Sequence, residues 1–398
     1  MSKQAWSQAG LERLQAVVAA QVEQGALPGV VYAVSRQGET HVEAIGTMEI
    51  AGERPMTRDS IFRLASLTKP VSAVAAMILV EQGIWKLDDA IDHWLPELSE
   101  RRVLLHPDGP LDQTVPAKRS ITIRDLLTLR LGIGFVWKPP GSTPIQCAME
   151  EAGIAPGPHR PVLPPDEWLK RLGSLPLIHH PGDEWMYETG SEILGILIAR
   201  ASGCSLEKFM REQIFEPLQM KDTAFSVSAE QVHRLPTSYM TNWETGGLAV
   251  YDEPSSSSWL SPSIFSSGAS GLVSTVDDYL AFYHMLLNKG AYEGGSILSS
   301  SSVEMMTSDQ LTLPQRVANQ IILNEGGSWG LGVGIAVERT SWFEKGSFGW
   351  NGGTGTSAYI DPENEMIGIL FTQRMMDSAE PTPIFDDFWT HVYKAIPK

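Results

Sequence analysis

Two cysteines, Cys147 and Cys204, are too few for a disulfide framework or a thiolate zinc cluster in a chain of 398 residues. Basic residues are scarce as well. There are 30 Lys and Arg against 47 Asp and Glu, which leaves a net charge of −17. Nucleic acid is met by a basic face, and anionic membranes attract basic segments, so neither is an expected partner. No apolar run approaches the roughly 20 residues that span a bilayer. The start of the chain, Met1-Ser2-Lys3-Gln4-Ala5-Trp6, lacks the apolar core of a secretion signal. Instead Leu11, Leu14, Val17, Val18 and Val22 recur at helical spacing, with Glu12, Arg13 and Glu23 between them. These absences predict a soluble, cytoplasmic protein that needs its core to hold it together. Nine histidines include the pair His179-His180, but no His-Glu-x-x-His or carboxylate cluster goes with them. Neither a metal nor a cofactor is expected.

What is present is apolar residue in quantity. At 42% hydrophobic the chain can bury a large core, in two or three domains or one composite unit. After the first helix, two strand-like runs, Gly29–Val34 and Thr40–Ile45, flank a turn at Gln37-Gly38. From about Trp85 to Leu287 the spacing is mostly helical. Helices are predicted at Ile123–Leu129, Pro165–Leu172, Ser191–Ala201, Leu206–Ile214 and Val276–Leu287. Pro- and Gly-rich loops fall at Pro139–Pro144 and Ala155–Pro165, and a surface loop at Ser255–Ser258. Strands return at Trp329–Val337, Ser341–Gly349, Thr356–Ile360 and Glu365–Thr372, and Pro383–Ala395 closes the chain as a helix. A hairpin at one end and a meander at the other predict an α+β fold, an α/β sandwich whose antiparallel sheet is built from both chain ends and flanked by helices. The expected division is 1–65 with 290–398 for the sheet unit and 66–289 for an inserted, mostly helical domain. The site is expected in the cleft between them.

Within that frame the densest chemical signal is Ser66-Leu67-Thr68-Lys69, followed by Pro70. A serine hydroxyl is a weak nucleophile until its proton is taken. A lysine three residues on lies on the same helical face, within reach. Pro70 is tolerated only in a first turn, which puts Ser66 at or beside the helix N-terminus. The run Val71, Val74, Ala75, Ile78, Leu79 continues the helix, and Gly83 is its predicted stop. Free N–H groups at that end could hold an oxyanion. The dipole and burial are expected to push Lys69 toward the neutral base, a fall of about three units from about 10.4, or about 4 kcal/mol. The plain alternative is an N-cap serine beside a solvated lysine.

Two further segments stand out. Tyr187 lies in Pro181-Gly182-Asp183-Glu184-Trp185-Met186-Tyr187-Glu188-Thr189, ahead of a predicted helix, and a tyrosine beside a cation can relay a proton. Its alternative role is packing at a helix start. Phe348-Gly349-Trp350-Asn351-Gly352-Gly353-Thr354 is a strand turning glycine-rich, which lets backbone come close to a ligand or simply turn.

Together with Ile121–Thr128, Gly271–Tyr279 and Trp329-Gly330-Leu331-Gly332, these segments resemble the serine β-lactamase and penicillin-binding-protein superfamily, whose motif is Ser-x-x-Lys. The resemblance runs from about Gly29 to Thr372 and is nearest its esterase branch, the carboxylesterases similar to class C β-lactamases. It implies a β-lactamase/transpeptidase-like fold, Ser66 as the acylated nucleophile, and Lys69 with Tyr187 sharing the proton work. It further implies an oxyanion hole from the N–H groups of Ser66 and Gly353, with Trp350, Asn351 and Gly352 at the substrate. Two departures matter. The second motif, commonly Tyr-x-Asn, is Tyr187-Glu188-Thr189, and the third, usually Lys-Thr-Gly, is Trp350-Asn351-Gly352. Losing that lysine removes a partner for a β-lactam carboxylate, and the apolar face of Trp350 suits an uncharged ester.

The expected activity is therefore hydrolysis of small, short-chain esters through an acyl-enzyme, with no cofactor. Alternatives on the same site are a β-lactamase, a D-amino-acid peptidase or amidase, and an acyltransferase; a non-catalytic binding protein is the alternative of another class. Oligomeric state is left open. Phe135-Val136-Trp137 lines either the acyl or alcohol pocket or the ordinary core. Gly326-Gly327-Ser328-Trp329-Gly330 matches the G-x-S-x-G pattern, but that elbow needs a helix after it and a strand-like run follows.

Overall fold

The computed structural model describes residues 4–157, 160–379 and 382–397. Met1–Lys3 of the N-terminal reading and two residues of the Ala155–Pro165 loop lie outside them. The centre is an antiparallel sheet of seven strands. In chain order these are β1 (Gly29–Arg36), β2 (Glu39–Gly46), β3 (Gly327–Trp329), β4 (Gly334–Ala336), β5 (Phe348–Gly352), β6 (Thr356–Asp361) and β7 (Met366–Thr372). Their spatial order is β3-β4-β5-β6-β7-β1-β2. The two chain ends meet where β1 pairs with β7, Val31 opposite Phe371. The fold is α+β, as its sequence pattern predicts.

β1 and β7 are buried on both faces, and their alternation sorts the two cores. Val31, Ala33, Ile367, Ile369 and Phe371 join the large core on the helical side. Val30, Tyr32, Val34, Met366 and Leu370 face a smaller core under the terminal helices. Those helices are α1 (Gln8–Glu23) and, last in the chain, Pro383–Lys394. They touch so closely that a Cβ on Gly10 would stand 2.5 Å from the Ala395 Cα.

Helix α2 (Thr68–Glu81) is buried at every position from Thr68 to Leu79. A helix apolar all round belongs in the middle of a protein. Its chain reverses at Gly83, where φ is +71°. Helix α3 (Thr189–Ser202) packs beside α2. Helix α4 (Val276–Leu287) packs on β1 and β7, although it lies in the stretch read as helical insertion. We propose the division 1–65 with 290–398 and 66–289, with α4 reaching across to the sheet.

Two strand readings need correction. Trp329–Val337 is not one strand: it breaks at a turn in which the Gly330 N–H donates to the Val333 carbonyl, 2.8 Å, and Gly332 takes φ +78°. Ser341–Gly349 is a turn followed only at Phe348 by strand. The Thr340 hydroxyl accepts the N–H groups of Trp342 and Phe343 and competes with the ladder. Phe343 then stacks on Tyr359, centroids 4.0 Å apart.

An exposed helical glycine is normally improved by alanine, by up to about 1 kcal/mol. At Gly10 the opposite is expected. Gly10→Ala forces α1 away from the closing helix and should lose about 1–3 kcal/mol, read as a lower urea midpoint at unchanged slope.

Candidate active site

Ser66 lies in a tight turn, Ala65–Leu67, that leads straight into α2. Ala65 has φ +44°, a left-handed conformation that costs a non-glycine residue about 1–2 kcal/mol. The surroundings hold it there. The Thr354 hydroxyl donates to the Arg63 carbonyl, and Thr356 Oγ1 donates to the Leu64 carbonyl at 3.0 Å. On the other side Tyr279 Oη of α4 donates to the Leu67 carbonyl, 2.8 Å, and the Leu272 N–H donates to Thr68 Oγ1, 3.1 Å. The end of β5 is thus pinned to the residues just before Ser66. Gly352 makes this contact possible, because a Cβ there would meet the Leu64 carbonyl oxygen at 2.2 Å.

Lys69 is fully enclosed, and its ammonium has three acceptors. Nζ donates to Ser66 Oγ at 2.9 Å, Glu188 Oε2 at 2.8 Å and the Ala269 carbonyl at 3.1 Å. It also sits 4.4 Å from the centre of the Tyr187 ring. Here the structure reverses the expectation of a neutral lysine. Burial opposes the charge, but the Glu188 carboxylate, helped by Tyr187, more than offsets it and holds the pKa above its ordinary value. The resting lysine is a cation.

Tyr187 stands in an aromatic box with Trp185, Trp329 and Trp350, centroids 5.7, 6.4 and 5.9 Å away. Its Oη accepts the Trp350 indole N–H at 2.8 Å. Asn351 accepts the Ser357 hydroxyl on Oδ1 at 2.6 Å, and Ser357 in turn accepts the Trp389 indole N–H at 2.9 Å. A Cβ on Gly353 would meet nothing within 4 Å.

Ser66, Tyr187, Trp350, Asn351 and Gly353 line one cavity of 410 Å³. Lys69 lies beneath it, and Gly352 is turned to Leu64 rather than to the cavity. The apolar wall includes Phe135 and Trp137, whose rings are 4.4 Å apart, with Ile322, Met375 and Met376. Ser328 stays apart: it is buried, bonds to Asp309, sits on β3 and is followed by β4, so the G-x-S-x-G elbow is absent. His180 accepts the Lys118 N–H on Nδ1 at 3.3 Å, and among the described residues no group of three metal-ligating side chains converges. No helix of the described residues is long and apolar enough to cross a membrane.

Sequence reasoning missed Glu188 and Glu192. In the sequence Glu188 is only the unspecified middle residue of Tyr187-Glu188-Thr189, yet it is the counter-ion of Lys69. Glu192 follows one turn later on α3, buried, with Oε1 accepting from Ser267 Oγ at 2.6 Å. Burial pushes its carboxyl up to about 7; the Ser267 hydroxyl pulls it back, and the charge of Glu188 pushes it further. The signal was available: two carboxylates four apart opening a helix that runs on through Ile193, Leu194, Ile196, Leu197 and Ile198.

Folded Glu192 keeps its proton to about pH 7, while an ordinary glutamate loses it near 4.5. Between those values the folded chain binds the extra proton, so rising pH lowers stability. The penalty is absent below 4.5 and complete above 7, and is worth about 3 kcal/mol. Glu192→Gln should abolish it. Its stability relative to wild type, from urea melts, should rise by about that amount from pH 4.5 to 8.

Known proteins bear on this geometry. The family described as Beta-lactamase matches residues 14–385. Esterase EstB of Burkholderia gladioli is 33% identical over 284 residues, 67% of this chain and 68% of its own. Monacolin J acid methylbutanoyltransferase of Aspergillus terreus is 29% identical over 354 residues, 80% of this chain and 78% of the transferase. The solved structure of EstCE1, a hydrolase with promiscuous acyltransferase activity, shares the fold at a TM-score of 0.83 and 23% identity, covering 97% of this chain and 99% of EstCE1. With a match that spans the sheet, the Ser66 turn and the Tyr187 box alike, the chain belongs to the beta-lactamase family.

Proposed function

We propose that the protein is a serine ester hydrolase that works through an acyl-enzyme on small, uncharged, short-chain esters. The observation that carries this reading is Lys69 Nζ, 2.9 Å from Ser66 Oγ, at the floor of an apolar cleft. The kinship with an esterase and an acyltransferase supports it.

Ser66 Oγ attacks the ester carbonyl and its proton leaves to a base. All three N–H bonds of the Lys69 ammonium are directed at acceptors, so it has no lone pair to receive that proton. The step requires Tyr187 as its phenolate, which takes the Ser66 proton and becomes the phenol. The Lys69 ammonium lies 4.4 Å from its ring centre, and the Trp350 indole N–H donates to its Oη. The N–H groups of Ser66 and Gly353 hold the oxyanion. Collapse of the intermediate breaks the ester C–O bond, and the alcohol leaves with the proton from Tyr187. Water then attacks the acyl-Ser66, gives its proton to Tyr187, and releases the acid as Ser66 regains a proton.

Charge argues for esters over β-lactams. Among the described residues lining the cleft the one cation is Arg160, and its guanidinium donates to the carbonyls of Ser258 and Phe225. A substrate carboxylate would meet only that guanidinium, which is already engaged with two carbonyls. A second reading, transfer of the acyl group to an alcohol, is favoured by the kinship with the methylbutanoyltransferase and by Trp137, 40% exposed at the mouth, where an apolar acceptor would compete with water.

Nitrophenyl butyrate tests the assignment. Ser66→Ala should lower kcat by about 10³-fold or more, and Tyr187→Phe by about 10²-fold or more. Unchanged turnover in Ser66→Ala would sink the assignment of Ser66, and failure of a fluorophosphonate to label the wild type would leave a binding protein on this fold. A cephalosporin turned over faster than the butyrate would favour the β-lactamase alternative. Added butanol that diverts product from butyrate to butyl butyrate would establish transfer.

A further inference from the structure

Trp350 belongs to the walls of two cavities. One is the catalytic cleft of 410 Å³, and the other is a chamber of 460 Å³ at the β3–β4 edge of the sheet. The indole turns one edge toward each. On the cleft side its N–H donates to Tyr187 Oη at 2.8 Å. Its six-membered ring reaches Gly334 on β4, which lines the chamber: a Cβ there would stand 2.5 Å from Trp350 Cε3. The short helix Gln320–Leu323 completes the partition, with Ile322 in the cleft wall and Ile321 and Leu323 in the chamber wall. Beyond the ring the chamber is lined by Trp342, Phe343 and Tyr359, all buried, so an alkyl chain admitted there would meet aromatic surface.

The indole is held in place. Trp329 meets it edge to face at a centroid distance of 4.7 Å, Tyr187 packs at 5.9 Å, and rotation would break the bond to Tyr187 Oη. The partition also has a defined side in the reaction. The alcohol leaves with the proton carried by Tyr187 Oη, so that oxygen lies against the alcohol half of the bound ester. Trp350 is one hydrogen bond from the same atom, and its ring therefore borders the alcohol half. A long alkoxy chain gains by leaving water. On this side it is stopped at the indole, although a volume as large as the cleft lies behind it.

We propose that Trp350 sets the alcohol specificity of the site: it shuts the 460 Å³ chamber off from the cleft and confines the enzyme to esters of small alcohols. The proposal rests on the ester-hydrolase reading and names the half of the ester that the wall measures. Substrate pairs that vary one half at a time test it. The wild type, which needs no variant to fold, should hydrolyse ethyl butyrate at least as well as octyl butyrate in kcat/KM. In Trp350→Ala the octyl-to-ethyl ratio should rise by about tenfold or more, while the ratio of ethyl octanoate to ethyl butyrate moves by less than about twofold. Each ratio is taken within one variant, so the rate lost with the Tyr187 hydrogen bond cancels. Trp350→Leu, a milder truncation, should shift the same ratio by about threefold. Trp350→Phe separates the two duties of the side chain: it removes the N–H and should lower kcat on both alkyl butyrates, yet it keeps a ring in the partition and the wild-type ratio to within about twofold. Calorimetry on Ser66→Ala reads the wall without turnover, and adding Trp350→Ala to that background should tighten n-octanol binding by about tenfold. A wild type that prefers octyl butyrate, an alcohol ratio unmoved in Trp350→Ala and Trp350→Leu, or a rise in the acyl pair instead would overturn the assignment. Tighter octanol binding in the double variant, with no ester hydrolysed by the wild type, would instead sink the hydrolase reading and keep the partition.

Discussion

The buried ion pair between Lys69 and Glu188 is the constraint on which the site depends. Three segments distant in sequence converge on one nitrogen: the turn at Ser66, the start of α3 at Glu188 and the loop at Ala269. An ammonium so enclosed persists only if its lost hydration is replaced, and the three acceptors replace it. Such a pair adds little to stability compared with apolar residues of the same volume. Its yield is geometric. With each N–H assigned an acceptor, the Ser66 hydroxyl and the Tyr187 ring are held in one relation to a fixed positive charge.

The sheet supplies the opposing wall, and its attachment to the serine is also specific. Thr354 and Thr356, at the β5–β6 turn, hold the carbonyls of Arg63 and Leu64, while α4 holds that of Leu67. Backbone groups on both sides of Ser66 are therefore fixed by side chains from elements more than 200 residues away. The strained Ala65 is affordable under that many restraints. The antiparallel sheet made from both chain ends is what carries β5 to the residues before α2.

How much of this was legible depended on whether the deciding interaction was local. Pro70 placed the helix start, Gly83 its end, and the strand-like runs Gly29–Val34 and Glu365–Thr372 marked β1 and β7, all from neighbours in sequence. The residues Ser66, Tyr187, Trp350, Asn351 and Gly353 were singled out and do share one cavity. The charge of Lys69 was misread because its counter-ion lies 119 residues away, and the dipole argument considered only the helix it sits on. Gly352 was assigned to the substrate, whereas its missing Cβ admits the Leu64 carbonyl, a tertiary contact. The turn at Thr340 defeated a strand reading because a side-chain hydroxyl took over the backbone N–H groups.

The substitution of tryptophan for the lysine of the third motif changes more than substrate charge. A lysine there would add a second cation to the cleft. Trp350 instead directs its one N–H to Tyr187 Oη and presents its ring to the cavity, so the same side chain supports the tyrosine and shapes the apolar wall. The charge balance of the site then rests on Lys69 against two carboxyls. Below about pH 7 the proton on Glu192 leaves one cation facing one anion, a neutral setting. Above it the site turns net negative, which opposes an oxyanion at Ser66.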